Sequence, residues 1–273
     1  MEKHLENFKL IAEIGWNHMG NIDLAEKMIK EAKKSGCNYA KFQNWSVKNL
    51  KPGPWDHDGR RKIYEKAELD KNKTEQIYKI CKKVGINFLT SIFNSNEIEY
   101  VSKINNKIIK IPSPELRNYD LLTASSHNFK EIILSTGASK ISEIENSVKI
   151  FNNNKLTLLH CVSIYPCPDE KLNLNRIKKL KEIHKNIGVS DHSTDILSCQ
   201  FSLAMGIVAI EKHFTIDNNL PGRDNKFALL PKDFIKIRES IDRYNVMISS
   251  NKEDYFNDEK EVRELYTGRW GGK

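Results

Sequence analysis

The chain has 273 residues, of which 39% are hydrophobic, and its formal net charge is +8. This length fits one large domain, and no apolar run approaches the roughly 18 residues that a membrane-spanning helix needs. Acidic residues are also plentiful and interspersed, at 36 against 44 basic ones, a pattern that favours an anionic small substrate over nucleic acid.

The N-terminus and the cysteines both indicate a cytoplasmic protein. Residues 1–7 carry charges and lack the apolar segment of a signal peptide. The five cysteines are odd in number and include no Cys-x-x-Cys pair, which is typical of reduced thiols. Because no linker or Gly/Ser tract divides the chain, we expect a single domain over residues 1–273.

Short apolar runs rich in β-branched residues recur along the chain and predict eight strands. The predicted strands cover residues 9–15, 39–45, 87–93, 108–113, 131–137, 157–163, 187–192 and 207–214. Amphipathic patterns predict helices at 22–35, 74–84, 95–104, 141–151, 174–184 and 196–205. A last helix is predicted at 231–247, with Pro231 near its first turn.

This alternation of strands and helices predicts an α/β protein with a (β/α)8 TIM barrel, with a doubly wound open sheet as the alternative. We favour the barrel because polar residues follow every strand, and the carboxyl ends of barrel strands form the active-site face. The longest connection, residues 46–70, is rich in Pro and Gly. A connection of this length at the active face is expected to cover the site.

Two lysines lie inside the predicted apolar strands, where charged side chains are rare without a partner. They are Lys41 in the second strand and Lys110 in the fourth. Hydroxyl groups at the strand ends belong to Ser113, Ser135 and Ser190. These groups would offer a bound phosphate two positive charges and several donors. The alternative is that the lysines form structural ion pairs with Glu13 or Glu211 across the barrel.

Two histidines, His192 and His213, end consecutive predicted strands. Adjacent strands lie roughly 4.8 Å apart, so the two imidazoles are close enough to share one metal ion. Two histidine ligands leave open coordination positions, as Lewis-acid catalysis requires. The alternative is a pair of hydrogen-bonded core histidines.

Several strings at the predicted strand ends resemble the N-acetylneuraminate (sialic acid) synthase family. In chain order they are IAEIGWNHMG at 11–20, KFQ at 41–43, KIPS at 110–113, LSTG at 134–137, HCVSIYP at 160–166, GVSDH at 188–192, IEKHF at 210–214 and PGRD at 221–224. Each string alone is weakly specific, but the ordered set, from about residue 8 to about residue 235, is strongly so.

The resemblance implies a barrel that condenses phosphoenolpyruvate with an N-acetylated amino-sugar aldehyde, yielding a nine-carbon 2-keto-3-deoxy sugar acid and phosphate. It implies that phosphoenolpyruvate is bound by Lys41, Lys110, Ser113, Ser135 and Ser190. The implied sugar-binding positions are Gln43, Ser163, Tyr165 and Asp224. The implied ligands of a divalent cation, Mn or Mg, are His192 and His213. Proton transfer is assigned to Glu13 or Glu211.

Two departures from the family pattern concern sugar recognition. Family members carry a C-terminal antifreeze-like domain that supplies an Arg to the partner subunit's site, whereas this chain ends at Lys273. We expect no such domain here, and a homodimer is possible. Arg223 stands where relatives commonly have Pro, and Arg263 or Arg269 are candidates to replace the missing Arg.

Two other functions fit the same residues. One is a phosphoenolpyruvate-dependent synthase with a different aldose, similar to keto-deoxy sugar acid synthases. The other is a barrel without turnover that serves in binding, but Lys41, Lys110, His192 and His213 are all intact. We therefore expect an enzyme with small-molecule substrates and no nucleic-acid or membrane partner, making an acidic sugar for a surface glycan.

Overall fold

Eight parallel strands close into a barrel in which each strand pairs with the next and the eighth pairs with the first. This computed structural model describes residues 8–250 and 252–271. The strands are β1 (Lys9–Gly15), β2 (Tyr39–Asn44), β3 (Asn87–Ile92), β4 (Ile108–Ile111), β5 (Glu131–Ser135), β6 (Lys155–Cys161), β7 (Ile187–Asp191) and β8 (Ala209–His213). The predicted (β/α)8 TIM barrel is confirmed, and the open-sheet alternative is wrong.

Helices connect the strands on the outside of the barrel. They are α1 (Ile22–Lys34), α2 (Arg60–Ala67), α3 (Lys71–Val84), α4 (Ile98–Ile104), α5 (Tyr119–Asn128), α6 (Ile141–Val148), α7 (Arg176–Ile183), α8 (Leu197–Ala204) and α9 (Pro231–Met247). No helix within residues 8–250 and 252–271 is both long enough and apolar enough to cross a membrane.

Two helices were missed in the sequence, each for a local reason. α5 carries Ser, Thr, His and Asn, which compete with the helix for backbone hydrogen bonds. It nevertheless forms because Asn118 caps it and Leu121 and Leu122 are buried. α2 lies inside the predicted long connection and buries only Ala67, so it has almost no apolar periodicity.

Apolar side chains fill the barrel interior below its carboxyl end. Within it a small cluster consists of Ile11, Leu89, Ile108, Ile133, Leu159 and Ala209. At the amino end, buried Lys9 pairs with Glu131 at 2.9 Å. A larger core lies outside, between the strands and the helices. Among the described residues, it is therefore the carboxyl end of the barrel that remains open to hold a ligand.

The connection between β2 and α3 is anchored by a buried amide. The Asn44 side chain donates to the Leu69 carbonyl oxygen at 3.1 Å and to Thr74 Oγ1 at 2.6 Å. Thr90 Oγ1 donates to the Asn44 side-chain oxygen, Oδ1, at 2.6 Å. Asp70 then caps α3 by accepting from the Lys73 amide at 2.8 Å. These bonds fix both ends of the segment, whose middle part lines the cavity described below.

Candidate active site

Two buried carboxylates and two buried lysines meet at the carboxyl end of the barrel. Lys41 lies opposite Glu13 on the neighbouring strand, and Lys41 Nζ is 2.7 Å from Glu13 Oε2. Lys110 donates to both oxygens of Glu211, at 2.7 and 2.9 Å, across the barrel from β4 to β8. Lys41 Nζ also lies 3.6 Å from Glu211 Oε2. We call these four residues the charged floor.

The ion pairs foreseen in the alternative interpretation of the lysines are therefore present, but the two carboxyl groups differ. Burial would raise the pKa of Glu211, yet Lys110 and Lys41 together outweigh burial and hold that pKa well below the ordinary value. Burial raises the pKa of Glu13 above its ordinary value, because Lys41 offsets only part of the effect. Of the two carboxyl groups, Glu13 is therefore the one that is protonated more easily.

Three predicted hydroxyl groups surround this floor. Ser190 Oγ donates to Glu211 Oε1 at 2.9 Å, and Ser113 Oγ accepts from the Gly137 amide at 3.0 Å. Ser135 Oγ is buried and has no hydrogen-bond partner. An unpaired buried hydroxyl is costly unless a ligand or water completes it. Ser135 lines the same cavity as Lys41 and Lys110, and this combination of groups suits an anion.

The two predicted histidines lie side by side above the floor, with ring centroids 5.4 Å apart. His192 Nδ1 is 2.8 Å from the Val162 carbonyl oxygen, so this nitrogen donates. Burial would lower the pKa of His192, but its hydrogen bond with Cys161 outweighs burial and raises that pKa above the ordinary value. His213 Nδ1 is buried without a hydrogen-bond partner. Burial, and then the nearby His192, holds the pKa of His213 well below its ordinary value, so the His213 ring is neutral.

These features fit a divalent cation. A neutral imidazole with an unused ring nitrogen is a common metal ligand, and a backbone carbonyl that fixes the opposite nitrogen orients it. Asp224 Oδ2 lies 3.6 Å from His213 Nδ1. Within the described residues, no group of three or more His, Cys, Asp or Glu side chains converges as a metal cage. The two histidines would thus leave positions for oxygen atoms of substrate or water.

Three of the four predicted sugar-binding residues line a cavity of about 740 Å³ above the floor, namely Gln43, Tyr165 and Asp224. The Gln43 amide donates to Glu13 Oε1. The Tyr165 ring packs on His192 with centroids 4.0 Å apart. The fourth residue, Ser163, is not part of this lining and instead packs over Gly137.

A residue larger than glycine would not fit at position 137, because three side chains converge where its Cβ would be. A methyl group there would lie 2.4 Å from Ser163 Oγ, 2.8 Å from Ser113 Oγ and 3.1 Å from Cys161 Sγ. Cys161 was not predicted as a site residue. Burial would raise the pKa of its thiol, but contact with His192 lowers that pKa below the ordinary value.

A group of aromatic residues in the cavity lining, which we call the aromatic wall, was also missed. It consists of Trp16, Trp45, Trp55, Tyr64 and Phe93. The sequence could have indicated these residues, because an aromatic residue directly follows the last residue of each of the first three strands. These residues were overlooked because aromatic side chains beside a strand are more often core.

The arginines singled out in the sequence differ in position. Arg223 is exposed and contributes to the cavity lining. Arg263 and Arg269 lie outside that lining, in an exposed C-terminal segment. The Arg263 guanidinium lies over the Tyr255 ring at 4.6 Å, and that of Arg269 over Tyr266 at 5.0 Å.

Known proteins resemble this chain over most of its length. Residues 28–253 match the NeuB family. The chain is 35% identical over 241 residues to the N,N'-diacetyllegionaminic acid synthase of Campylobacter jejuni, covering 82% of this chain and 72% of that protein. It is 33% identical over 251 residues to the pseudaminic acid synthase of the same species, covering 85% and 71%.

A solved structure shares the architecture almost from end to end. It is the N-acetylneuraminic acid (sialic acid) synthetase of Leptospira borgpetersenii in complex with citrate. The TM-score is 0.87 at 30% sequence identity, with 98% of this chain and 94% of that chain covered.

Proposed function

The chain belongs to the NeuB family, and on that premise we propose that it joins phosphoenolpyruvate to an N-acylated amino-sugar aldehyde. The product is a nine-carbon 2-keto-3-deoxy sugar acid, and phosphate is released. The relatives named as legionaminic, pseudaminic and N-acetylneuraminic acid synthases support this class of product. The alternative is a synthase that uses a different aldose, and the identity of the acceptor sugar distinguishes the two.

The charged floor beside the paired histidines carries the proposal. Lys41 and Lys110 supply two buried ammonium groups, and Ser135 adds a hydroxyl without a protein partner. An enol phosphate carries a phosphate and a carboxylate, and buried ammonium groups bind such oxygens strongly. Glu13 and Glu211 pair with these ammonium groups, so a bound anion would share the lysines with the two carboxyl groups.

The residues above the floor fit the second substrate. Gln43, Tyr165 and Asp224 place amide, hydroxyl and carboxyl groups around the same cavity. Together they would hold the aldehyde carbon near carbon 3 of phosphoenolpyruvate, so that the carbon–carbon bond forms within one cavity. His192 and His213 would hold a Mn or Mg ion. When bound, that ion would polarise the aldehyde oxygen as a Lewis acid.

We assign proton transfer to Glu13, the carboxyl group of the charged floor whose pKa is raised. The new bond turns the aldehyde oxygen into a hydroxyl group, which needs one proton. Water adds at carbon 2 and loses one proton. Phosphate then leaves with its carbon–oxygen bond broken, and the hydroxyl group at carbon 2 passes its proton to the departing phosphate and becomes the keto group. Glu13, whose pKa burial raises, suits this relay better than Glu211, whose carboxylate is held ionised by two lysines.

Phosphate release from phosphoenolpyruvate tests the proposal directly. Purified protein is incubated with manganese and a panel of aldoses that includes N-acetylmannosamine, its 2,4-diacetamido-2,4,6-trideoxy counterpart, arabinose and erythrose phosphates. Mass spectrometry should find a product with the carbon atoms of both substrates. Phosphate release only with an acceptor lacking an acylamino group would contradict the sugar class, and no release with any acceptor would contradict the enzymatic proposal.

A further inference from the structure

The turn between β5 and α6 contains one residue in a strained backbone conformation. The turn covers residues 136–140 and directly follows Ser135, which lines the cavity. Ala138 has a φ of 51°, in the left-handed region that residues other than glycine rarely adopt. Such a conformation persists only where the surrounding contacts hold it in place, and it is found most often at functional sites. The contacts that hold this turn therefore bear on the site beside it.

A single guanidinium group bridges the turn. Arg176, the first residue of α7, donates from Nη1 to the Thr136 carbonyl oxygen at 3.0 Å. It also donates from Nη2 to the Ser139 carbonyl oxygen at 2.7 Å. These two carbonyl groups lie on either side of Ala138 in the chain, and the planar fork of arginine donors suits two acceptors at once. Arg176 therefore holds both sides of the strained residue.

Both ends of this contact are anchored to β6. The Thr136 amide and hydroxyl groups donate to the Leu159 carbonyl oxygen at 3.0 and 2.9 Å. His160 Nε2 lies 2.8 Å from the carbonyl oxygen of Leu172, four residues before Arg176. The strand thus fixes the start of the turn and the segment that leads into α7, so Arg176 meets the turn in one defined position.

The planar peptide bond transmits this contact into the cavity. In a trans peptide the carbonyl oxygen and the following N–H group point in opposite directions. The Thr136 oxygen points towards Arg176, so the Gly137 N–H group points away from it and donates to Ser113 Oγ at 3.0 Å. Ser113 Oγ accepts this bond, so its own proton is directed elsewhere. One peptide plane therefore links Arg176 to the orientation of a hydroxyl group in the cavity lining.

The hydroxyl group of Ser113 is thereby prepared to donate to an anion. In the protein alone it makes a hydrogen bond with Cys161, and sulfur is a weak acceptor. The oxygen atoms of a bound phosphate or carboxylate carry charge and are stronger acceptors. The hydroxyl group can change from one acceptor to the other by rotating its proton, while the backbone of the turn stays in place.

We infer that Arg176 is a positioning residue for phosphoenolpyruvate, which acts through the peptide group between Thr136 and Gly137 and through Ser113. Arg176 itself lies outside the cavity lining. The inference rests on the proposed function for the identity of the anion and on the hydrogen bonds of the turn for the role of Arg176. It assigns to Arg176 an effect on phosphoenolpyruvate and none on the acceptor sugar.

Calorimetry with phosphoenolpyruvate measures this effect without turnover. Arg176→Ala should weaken binding about 3- to 10-fold, which is the effect of losing one well-oriented neutral hydrogen bond. In steady-state assays the KM for phosphoenolpyruvate should rise by a similar factor, and the KM for the acceptor sugar should not change. Arg117→Ala is the matched control, because Arg117 is 67% exposed and lies 3.7 Å from Glu143 in the first turn of α6. This control should behave as wild type.

Arg176→Lys separates the geometry of the contact from its charge. Lysine keeps the positive charge, but its single ammonium group cannot reproduce the fork that holds two carbonyl groups. This variant should lose most of the affinity that Arg176→Ala loses, and urea unfolding checks that both variants fold. Wild-type affinity in Arg176→Lys would show that charge alone is sufficient and would overturn the inference. Arg176→Lys also decides the matter if Arg176→Ala does not fold.

A double-mutant cycle with Ser113→Ala tests the path of the effect. If Arg176 acts through Ser113, the variant with both Arg176→Ala and Ser113→Ala should bind phosphoenolpyruvate as Ser113→Ala does. Losses that add together would mean that Arg176 acts independently of Ser113, and the inference would be wrong.

The remaining outcomes distinguish this inference from the proposed function. Phosphoenolpyruvate binding without phosphate release for any acceptor would reject the proposed function, while the calorimetric comparison would still decide the role of Arg176. Unchanged affinity in Arg176→Ala, or an equal rise in KM for both substrates, would overturn the inference and leave the proposed function standing. Absence of phosphoenolpyruvate binding in the wild-type protein would overturn both.

Discussion

The ammonium group of Lys212 is buried against the carboxylate of Asp191, in an ion pair that joins β8 to β7. Each residue directly precedes one of the paired histidines. Alternation along a strand puts this pair on the outer side of the barrel, where Asp191 also accepts from Ser198 Oγ at 2.6 Å. The pair therefore holds β7 and β8 together directly before the two histidines, whose side chains point into the cavity.

Replacing Lys212 with Met should be strongly destabilising, because Asp191 would remain buried without its charge partner. A cost of about 3–5 kcal/mol in the free energy of unfolding is expected for such a change, measured by urea denaturation. Lys155→Met is a matched control, since Lys155 is 58% exposed and lies 3.5 Å from Glu131. That change should cost less than about 1 kcal/mol. Similar losses in both variants would contradict the role of the buried pair.

Loss of either floor lysine should weaken phosphoenolpyruvate binding. Lys110→Ala removes one ammonium group and leaves Glu211 with more uncompensated negative charge, which repels an anion. We expect a reduction of about 10- to 100-fold for Lys41→Ala or Lys110→Ala, as for other charged hydrogen bonds, measured by calorimetry. Lys9→Ala at the opposite barrel end, where Lys9 pairs with Glu131, should retain wild-type affinity. Unchanged affinity in both floor variants would reject the anion site.

Removal of divalent metal should stop turnover. After treatment with a chelator, manganese or magnesium should restore phosphate release in wild type but not in His192→Ala or His213→Ala. Manganese binding followed by electron paramagnetic resonance gives an independent readout, in which both variants should lose the bound signal. His127→Ala, in the last turn of α5, is the control. A chelated wild-type sample that retained full turnover would show that the histidines serve another purpose.

Stability should fall as the pH rises through the titration of Glu97. Burial raises the pKa of this carboxyl group to about 7, above the ordinary value of 4.5. The folded protein therefore favours the protonated form, and this contribution is complete below pH 4.5 and lost as the pH passes 7. The free energy of unfolding should decrease by up to about 3 kcal/mol between these limits from this group alone.

Glu97→Gln should flatten that pH dependence and be more stable than wild type at pH 8, as judged by urea unfolding at both pH values. Glu99→Gln provides the comparison, because the Glu99 side chain is 81% exposed. An identical pH dependence in wild type and Glu97→Gln would show that the Glu97 carboxyl group does not titrate in this range.

Periodicity was sufficient to predict the barrel because each strand is covered on both sides and reads as an apolar run. The predicted ends were less accurate. Residue 113 was assigned to the fourth strand, but that strand ends at Ile111 and Ser113 begins a 3₁₀ turn between Pro112 and Pro114. Proline lacks an amide donor and cannot continue the ladder, and the resulting turn places Ser113 beside Gly137.

Site residues inside strands were easier to predict than those on connections. Lys41 and Glu211 were visible as charges in apolar runs, and strand alternation alone points them inward. Tyr64 was not, because its approach to Trp16 depends on the path of residues 46–70 and on the Asn44 anchor, neither of which follows from local spacing. The roles of the site residues, the single domain and the homodimer remain predictions.

Closure of the barrel also bears on how the chain reaches its native state. The strand that begins at Lys9 pairs with the one that begins at Ala209, so the first strand of the barrel cannot complete its pairing until the eighth has been synthesised. Until then a nascent chain carries two sheet edges with unpaired amide and carbonyl groups, each able to recruit another chain. Contacts between such distant residues raise the contact order and slow folding. The period between synthesis of the first and eighth strands is therefore when the unpaired edges leave this protein most exposed to aggregation.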